Sequence, residues 1–435
     1  MSSWKVLLSD YGIIFILMGL IIFFSVLTIE KQNIIGAAAG IFLAKEVTQS
    51  GKQGKILLVT SESLDDQDLI EAFKANLGSQ YQIIVVDKGP PATRNQIERD
   101  IESGDVPKMI VTSTKVSRWL LFQDFSNHFP ELSVVSMINP QSSKGSNFLK
   151  RENLLNVADQ IAVIAIMAIG MTMVIITGGI DLSVGSLVAF SAVLITKLIQ
   201  GYFGAEAATE FEMVLAGLIA VVMCGLIGLL SGLLSTYFRI PPFIVTLSMM
   251  LIASGLAYTI SEGQSIYHVP DNFVWLGRGR IGGIPVSVII MIILYVIANI
   301  LMTKMVFGRY VYAIGGNKVA ARLSGIPINK IVTIVFTISG LLAGVGGIIL
   351  ASQLNSGSPT YGLAYELSVI AAVVIGGTSL MGGEGKIWGT LIGAFIIGVI
   401  QNGMNLIGIE SYTQKVILGI LILIALIVEK ARKRS

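Results

Sequence analysis

Ten largely apolar stretches, most of them parted from the next by a short polar turn, constrain this chain more than any other feature. They lie at 11–29, 154–177, 181–200, 212–236, 242–260, 285–306, 331–353, 366–381, 387–409 and 413–428. The first, Tyr11–Ile29, is an uncharged run of 19 residues. About 20 apolar residues span the hydrocarbon core of a bilayer as a helix. The expected fold is therefore an α-helical polytopic membrane protein of about ten transmembrane helices. The stretches 181–200, 366–381 and 413–428 are short or interrupted by glycine and read as broken or re-entrant. Charged residues make up 13% of the chain, about half the ~25% of a soluble domain. That excludes a disordered chain and an ordinary cytosolic enzyme.

The exception is the gap between the first and second stretches. Residues 30–153 carry 29 of the 57 charged side chains. The segment is long enough for one small globular domain. The chain therefore divides into a tail and first helix (1–29), an inserted soluble domain (30–150) and a membrane core (151–435). Within the insert, Lys55–Thr60, Gln82–Asp87, Lys108–Thr112 and Leu132–Met137 predict short buried strands. Asp65–Leu77, Thr93–Glu102 and Lys115–Phe129 predict helices between them, with Asp65 or Asp66 capping the first. The alternation predicts a small parallel α/β layer, and Ser142–Ser146 reads as a linker back to the membrane.

Lys and Arg near the spans set the orientation. With both termini in the cytoplasm, twelve of them fall on that side. Four (Lys197, Arg278, Arg280 and Lys415) fall opposite, and the insert lies outside. Nucleic-acid binding has no support, since the net charge is only +3. Cys224, His128 and His268 do not assemble a metal site, and no cofactor is expected. Gly382–Lys386 lacks the spacing and the Ser or Thr of a phosphate-binding loop, so ATP does not bind by that route. Gly277–Gly282 fits a dinucleotide pattern only formally, because it follows a polar loop rather than a strand.

Three groups of residues stand out as functional candidates. In Thr177–Ser186 (TGGIDLSVGS), Gly178 and Gly179 interrupt an apolar run, and Asp181 and Ser183 follow where a new helix begins. An intramembrane carboxylate is a functional candidate by default, although Asp181 also reads as an N-cap of that helix. In Gly308–Lys330, Lys318–Leu323 predicts a short amphipathic helix, punctuated by Gly315, Gly316 and Gly325 and stopped by Pro327. Val319, Ala320 and Leu323 at helical spacing predict that it docks on something. Gln401, Asn402 and Asn405 share one helix, either lining a polar path or bonding between helices. Gly228 with Gly232 and Gly340 with Gly344 read as small faces for close helix approach.

These segments together resemble the permease subunits of ribose-type bacterial ABC importers. Thr177–Ser186 resembles the GGIDLSVGS signature of that family. Pro241–Leu256, Gly308–Gly325, Leu350–Glu366, Ala371–Ser379 and Gly389–Gly403 continue the resemblance in order. It covers about 151–428 closely and Met1–Ile29 loosely. Such permeases pair in the bacterial inner membrane as two copies or with a paralogue. They receive substrate from an external binding protein and dock on cytoplasmic ATP-binding cassette subunits, which hydrolyse the ATP. The resemblance thus implies no enzyme activity in this chain and a monosaccharide or similar polyol as substrate. It assigns coupling to the ATPase to Gly315, Gly316, Asn317, Lys318, Ala320, Ala321, Arg322, Leu323, Ser324 and Gly325. The expected substrate pathway comprises Gly178, Gly179, Asp181, Ser183, Gln401, Asn402 and Asn405.

The insert departs from that family. It resembles, from Gly36–Lys45 through Lys55–Thr60, one lobe of a periplasmic sugar-binding protein. Where such lobes carry Arg-x-x-Gly-Phe this chain has Leu69-Ile70-Glu71-Ala72-Phe73, and no partner lobe is present to close a cleft. A docking or structural role is expected of it. Two rival readings remain: an ion-coupled transporter using Asp181, and a membrane-anchored sensor using the insert as receptor.

Overall fold

The computed structural model describes residues 3–123, 125–132, 135–140 and 143–432. The chain forms two compact units, Ile29–Ser146 and the remainder. The first helix, α1 (Ser3–Leu27), contains the apolar run Gly12–Leu27.

The insert opens with β1 (Ile29–Gln32) and continues through α2 (Gly36–Gln49), β2 (Gly54–Val59), α3 (Leu64–Ala75), β3 (Tyr81–Val86) and α4 (Gly89–Glu102). After β4 (Met109–Thr112) come α5 (Leu120–Gln123), α6 (Phe125–His128), β5 (Ser136–Ile138) and β6 (Ser143–Ser146). Strands β3-β2-β4-β5 form a parallel sheet in that order. Successive side chains of a strand point to opposite faces, and β2 uses both. Ile56 and Leu58 pack with Leu43, Val47, Leu69 and Phe73 of α2 and α3. Leu57 and Val59 pack with Ile97, Phe122, Phe125 and Phe129 on the other side. Covering both faces explains why the strands read as unbroken apolar runs.

Four local expectations for the insert are corrected. Ser143–Ser146 is a strand paired antiparallel with Ile29–Gln32, so the return to the membrane is hydrogen-bonded rather than a free linker; Ser142 lies outside the described residues. The fourth parallel strand is Ser136–Ile138, with Leu132 in a 3-10 turn; part of the expected strand (133–134) lies outside the described residues. Lys115–Phe129 is not one helix but a 3-10 turn followed by α5 and α6. Ser63, not Asp65 or Asp66, occupies the N-cap of α3. Asp66 instead accepts from the Ser61 backbone N–H (2.7 Å) and hydroxyl and from the Ser113 hydroxyl (3.1 Å). Those bonds tie the carboxyl ends of β2 and β4.

The membrane unit continues with α7 (Arg151–Ile176), α8 (Val184–Tyr202), α9 (Glu210–Tyr237), α10 (Pro242–Ser261) and α11 (Asp271–Arg278). A two-residue ribbon follows, β7 (Arg280–Ile281) and β8 (Ile284–Pro285). Then come α12 (Val286–Thr303), α13 (Val306–Gly316), α14 (Lys318–Leu323), α15 (Ile328–Leu354), α16 (Tyr365–Ile375), α17 (Ile387–Leu406) and α18 (Ser411–Arg432). Among the described residues seven of these helices (α7, α8, α9, α10, α12, α15 and α17) are long and apolar enough to span a membrane. The stretches Gly12–Leu27, Tyr365–Ile375 and Ser411–Ile424 are shorter apolar helices. Of the three stretches read as broken, 181–200 is a continuous helix from Val184 with only the turn before it irregular, 413–428 lies within the continuous α18, and 366–381 alone is interrupted, after Ile375.

Helix α7 is the centre: every residue from Ile161 to Ile176 is buried. Helix α15 crosses α9 on glycine. A Cβ on Gly228 would collide with the Phe336 carbonyl, and one on Gly340 with the Cys224 carbonyl. The two small-residue faces therefore pack on each other, where backbone approach replaces side-chain interdigitation. Large apolar side chains on α9, α10 and α12, among them Leu218, Leu251 and Ile297, are exposed. On a helix bundle of this hydropathy such a surface is lipid-facing or partner-facing.

Candidate functional site

The expected break lies where the sequence places it. After Ile176 the chain turns at Gly178, whose φ of 81° is left-handed and open to glycine without strain. Asp181 follows, only 1% exposed. Its Oδ1 accepts the Ser183 backbone N–H (3.0 Å) and the Ser183 hydroxyl (2.6 Å), and its Oδ2 accepts the Ser339 hydroxyl of α15 (2.8 Å). The Ile180 carbonyl accepts from Thr246 of α10 at 3.1 Å. A capping carboxylate serves the N–H two or three positions into a helix. Here Ser183 is the N-cap residue and α8 begins at Val184. Asp181 therefore closes the turn before the helix and pins it to α15, rather than N-capping α8 itself.

Three glycine-bearing segments meet at this break. The Gly383 N–H donates to the Ile176 carbonyl at 2.9 Å. A Cβ on Gly315, in the last turn of α13, would collide with both groups. Tyr312, one turn earlier, donates to the Gly385 carbonyl at 2.8 Å. The end of α13 is thus held directly against the break.

Helix α14 follows at once. Asn317 caps it, its side-chain oxygen accepting from the backbone N–H groups of Val319 and Ala320, both at 3.0 Å. Gly325 ends it at φ 80°, with Ser324 donating back to the Ala320 carbonyl and Gly325 to that of Arg322. That is the glycine stop expected of a short helix. Val319 and Leu323 are 70% and 85% exposed, and Lys318, Ala320 and Arg322 are also exposed. Ala321 is 4% exposed and belongs to the bundle core. The expectation that Ala321 faces a partner is therefore corrected: a helix of six residues has one outward stripe, and Ala321 lies on the opposite side. A cavity of about 860 Å³ separates α14 from the break, walled by Gly178, Gly179, Arg239, Lys318, Arg322 and Lys330 among others.

The polar residues of α17 lie elsewhere. Asn402 and Asn153 of α7 exchange two side-chain bonds, at 2.9 and 3.0 Å. Asn405 accepts from Gln414 of α18 at 2.7 Å, and Gln401 is half-buried. Asn402 and Asn405 bond between helices in different directions. They sit near the start of α7, while Gly178 and Asp181 follow its end, about 36 Å away at 1.5 Å per residue. The seven residues expected to form one pathway are two separate groups.

Between α15 and α16, inside the Leu350–Glu366 segment of the resemblance, the chain takes an irregular course that the apolar pattern alone does not announce. Gly357 exchanges backbone bonds with Ile266 (2.7 and 2.9 Å) and abuts Ala192 and Thr196 of α8. Gly362 abuts Gly185 and Val188. The loop therefore follows α8 for about 16 Å, from Thr196 to Gly185. Helix α16, at 11 residues, is about 16 Å long, half of a ~30 Å hydrocarbon core. Irregular backbone at membrane depth is tolerated only against protein or a wet cavity. Glu366, in the first turn of α16, is a half-buried carboxylate at the head of an apolar helix. The signal for it was available: it opens the apolar stretch 366–381.

The branched-chain amino acid transport system / permease component family matches residues 153–426. The ribose import permease of Escherichia coli (strain K12) is 42% identical over 306 residues, 69% of this chain and 91% of that protein. That of Bacillus subtilis (strain 168) is 43% identical over 304 residues, 69% and 89%. The D-allose transport system permease of Escherichia coli (strain K12) is 34% identical over 323 residues, 74% and 97%. No solved structure matches the chain. With 91% of the first relative already aligned, a separate unit the size of Ile29–Ser146 has no counterpart there. The resemblance seen in the signature segments thus extends over the whole membrane core, and the chain belongs to the permease family of ABC importers that includes the ribose import permeases.

Proposed function

We propose that this chain is the membrane subunit through which a monosaccharide of the ribose or allose type enters the cell, driven by a separate ATP-binding cassette subunit. The observation that carries the reading is the alignment of nearly the whole of the ribose and allose permeases with this one chain. The geometry around α14 supports the mechanism. An exposed apolar pair, Val319 and Leu323, offers a contact for the ATPase. Behind it, the end of α13 abuts the Ile176–Gly179 break backbone to backbone. A shift of α13 and α14 on nucleotide binding therefore reaches the break without passing through flexible side chains. Both termini lie in the cytoplasm of a bacterium and the insert lies outside, where a binding protein delivers substrate. A second copy or a paralogue pairs on the exposed apolar flank, and lipid covers the rest. The insert, a single α/β lobe, acts as a docking or structural element.

The test is uptake of labelled D-ribose and D-allose by proteoliposomes holding this chain, its ATPase and its binding protein. Uptake should require hydrolysable ATP and survive a protonophore. Uptake that persists without the ATPase and collapses with the ion gradient would refute the proposal and favour ion-coupled transport.

A further inference from the structure

A cavity of about 240 Å³ lies where the irregular loop reaches the start of α8, lined by Gly185, Ser186, Ser254, Tyr258, Thr360 and Glu366 among others. Glu366 is half-buried there. Its Oε2 lies so close to Gly185 that any Cβ at that position would collide with it and with the Gly362 carbonyl. The missing side chain at 185 is what gives the carboxylate room. Among the described residues, the Glu366 side chain has no partner beyond its own backbone N–H, and no Lys, Arg or His lines the cavity. Among the described residues, the hydroxyls of Ser186, Ser254 and Tyr258 take no part in any protein hydrogen bond.

An ionised carboxylate only accepts hydrogen bonds, and hydroxyl side chains both donate and accept. A ligand matched to this set brings several O–H donors, no negative charge and little volume, since the cavity is below the ~300–1,000 Å³ usual for larger ligands. We propose that the cavity is a polyol subsite on the import path, with Glu366 accepting from two neighbouring hydroxyls of the sugar and Ser186, Ser254 and Tyr258 completing the set. This rests on the sugar-import reading above. Asp181 is not part of the subsite: its oxygens are already taken by Ser183 and Ser339.

The experiment uses the reconstituted complex with D-ribose and 2-deoxy-D-ribose as probes. Glu366→Gln removes a charged acceptor and should cut D-ribose uptake about tenfold to a hundredfold. It should also narrow the preference for D-ribose over the deoxy sugar, while leaving ATPase co-purification intact. A second measurement reads occupancy without transport. Ser254→Cys on a Cys224→Ser background is modified by a small water-soluble thiol reagent, and D-ribose should slow that modification. Normal uptake with unchanged preference in Glu366→Gln, and no protection at position 254, would overturn the subsite while leaving sugar import standing. A wild-type complex that imports neither sugar and shows no protection would overturn both. Sodium- or proton-dependent uptake abolished by Glu366→Gln would place a cation at the carboxylate and also overturn the subsite.

Discussion

Asp181 is the residue on which the ion-coupled and the structural readings part most sharply. In Asp181→Asn, the side-chain oxygen can stay in place to accept both Ser183 bonds. The new amide then faces the Ser339 hydroxyl, which can turn to accept as well as donate. All three contacts survive, weakened only by the loss of charge, and the cost should be about 1 kcal/mol. Asp181→Ala instead leaves the Ser183 N–H and two hydroxyls without their acceptor in a buried site. At about 1–3 kcal/mol for the N–H and about 1 for each hydroxyl, the loss should be about 3–5 kcal/mol. Ser339→Ala should fall between the two. Thermal unfolding of the purified permease can be followed with a thiol-reactive dye, because Cys224 is its only cysteine and is buried. ATP-driven sugar uptake is measured in parallel. The expected order of melting temperature and of uptake is wild type, Asn, Ser339→Ala, then Asp181→Ala. If Asn proves as damaging to uptake as Ala while melting normally, the charge itself is required and the structural reasoning fails.

Five further outcomes are expected. Leu323→Asp should reduce both ATPase co-purification and uptake without lowering the melting temperature. Ala321→Asp should destabilise the permease itself, because it buries a charge in the bundle core. Replacing Ile29–Ser146 with a short glycine linker should leave an insertable permease. The flanking Thr28 and Asn147 already share a backbone bond of 3.0 Å, so closure costs little; a chain that no longer inserts would refute this. In the insert, burial works against the charge of Lys55, but its bonds to Asp100 (2.8 Å) and Asp105 (3.1 Å) outweigh it and raise its pKa above the ordinary lysine value. Its stabilisation is therefore complete below about pH 10 and lost only as pH rises through the raised value. Lys55→Met should melt the insert earlier, by about 3 kcal/mol, at neutral pH. Finally, cysteines placed singly at Ser79 and Asn317 on a Cys224→Ser background should label from opposite sides of the membrane, and labelling from one side would refute the orientation.

The break at Gly178–Gly179, the short helix Lys318–Leu323 and the parallel strands of the insert were legible because each rests on local chemistry. Glycine admits left-handed turns, asparagine caps a helix and apolar runs mark buried strands. Other features were not legible because they depend on the direction a side chain takes. Ala320 and Ala321 are neighbours of the same residue type, yet one is exposed and the other lies in the core. Asn402 and Asn405 share a helix face by spacing, yet one bonds to α7 and the other to α18. Ser142–Ser146 has the composition of a linker, but β1 lies beside Ser143–Ser146 and supplies hydrogen-bond partners that composition cannot reveal.

By itself the sequence determined that this chain is a membrane bundle carrying a charge-rich α/β insert, because hydropathy and charge act residue by residue and need no partner. It also determined the family, because the signature segments stand in order along the chain. Only the tertiary structure decided which residues share a site. Asp181 meets Ser339, 158 positions away, and is satisfied there. Glu366 meets Gly185 of a different helix and, among the described residues, finds no partner beyond its own backbone N–H. The two carboxylates look alike in sequence. What separates them is whether packing brings hydroxyl donors within reach of each, and that is a property of long-range contacts.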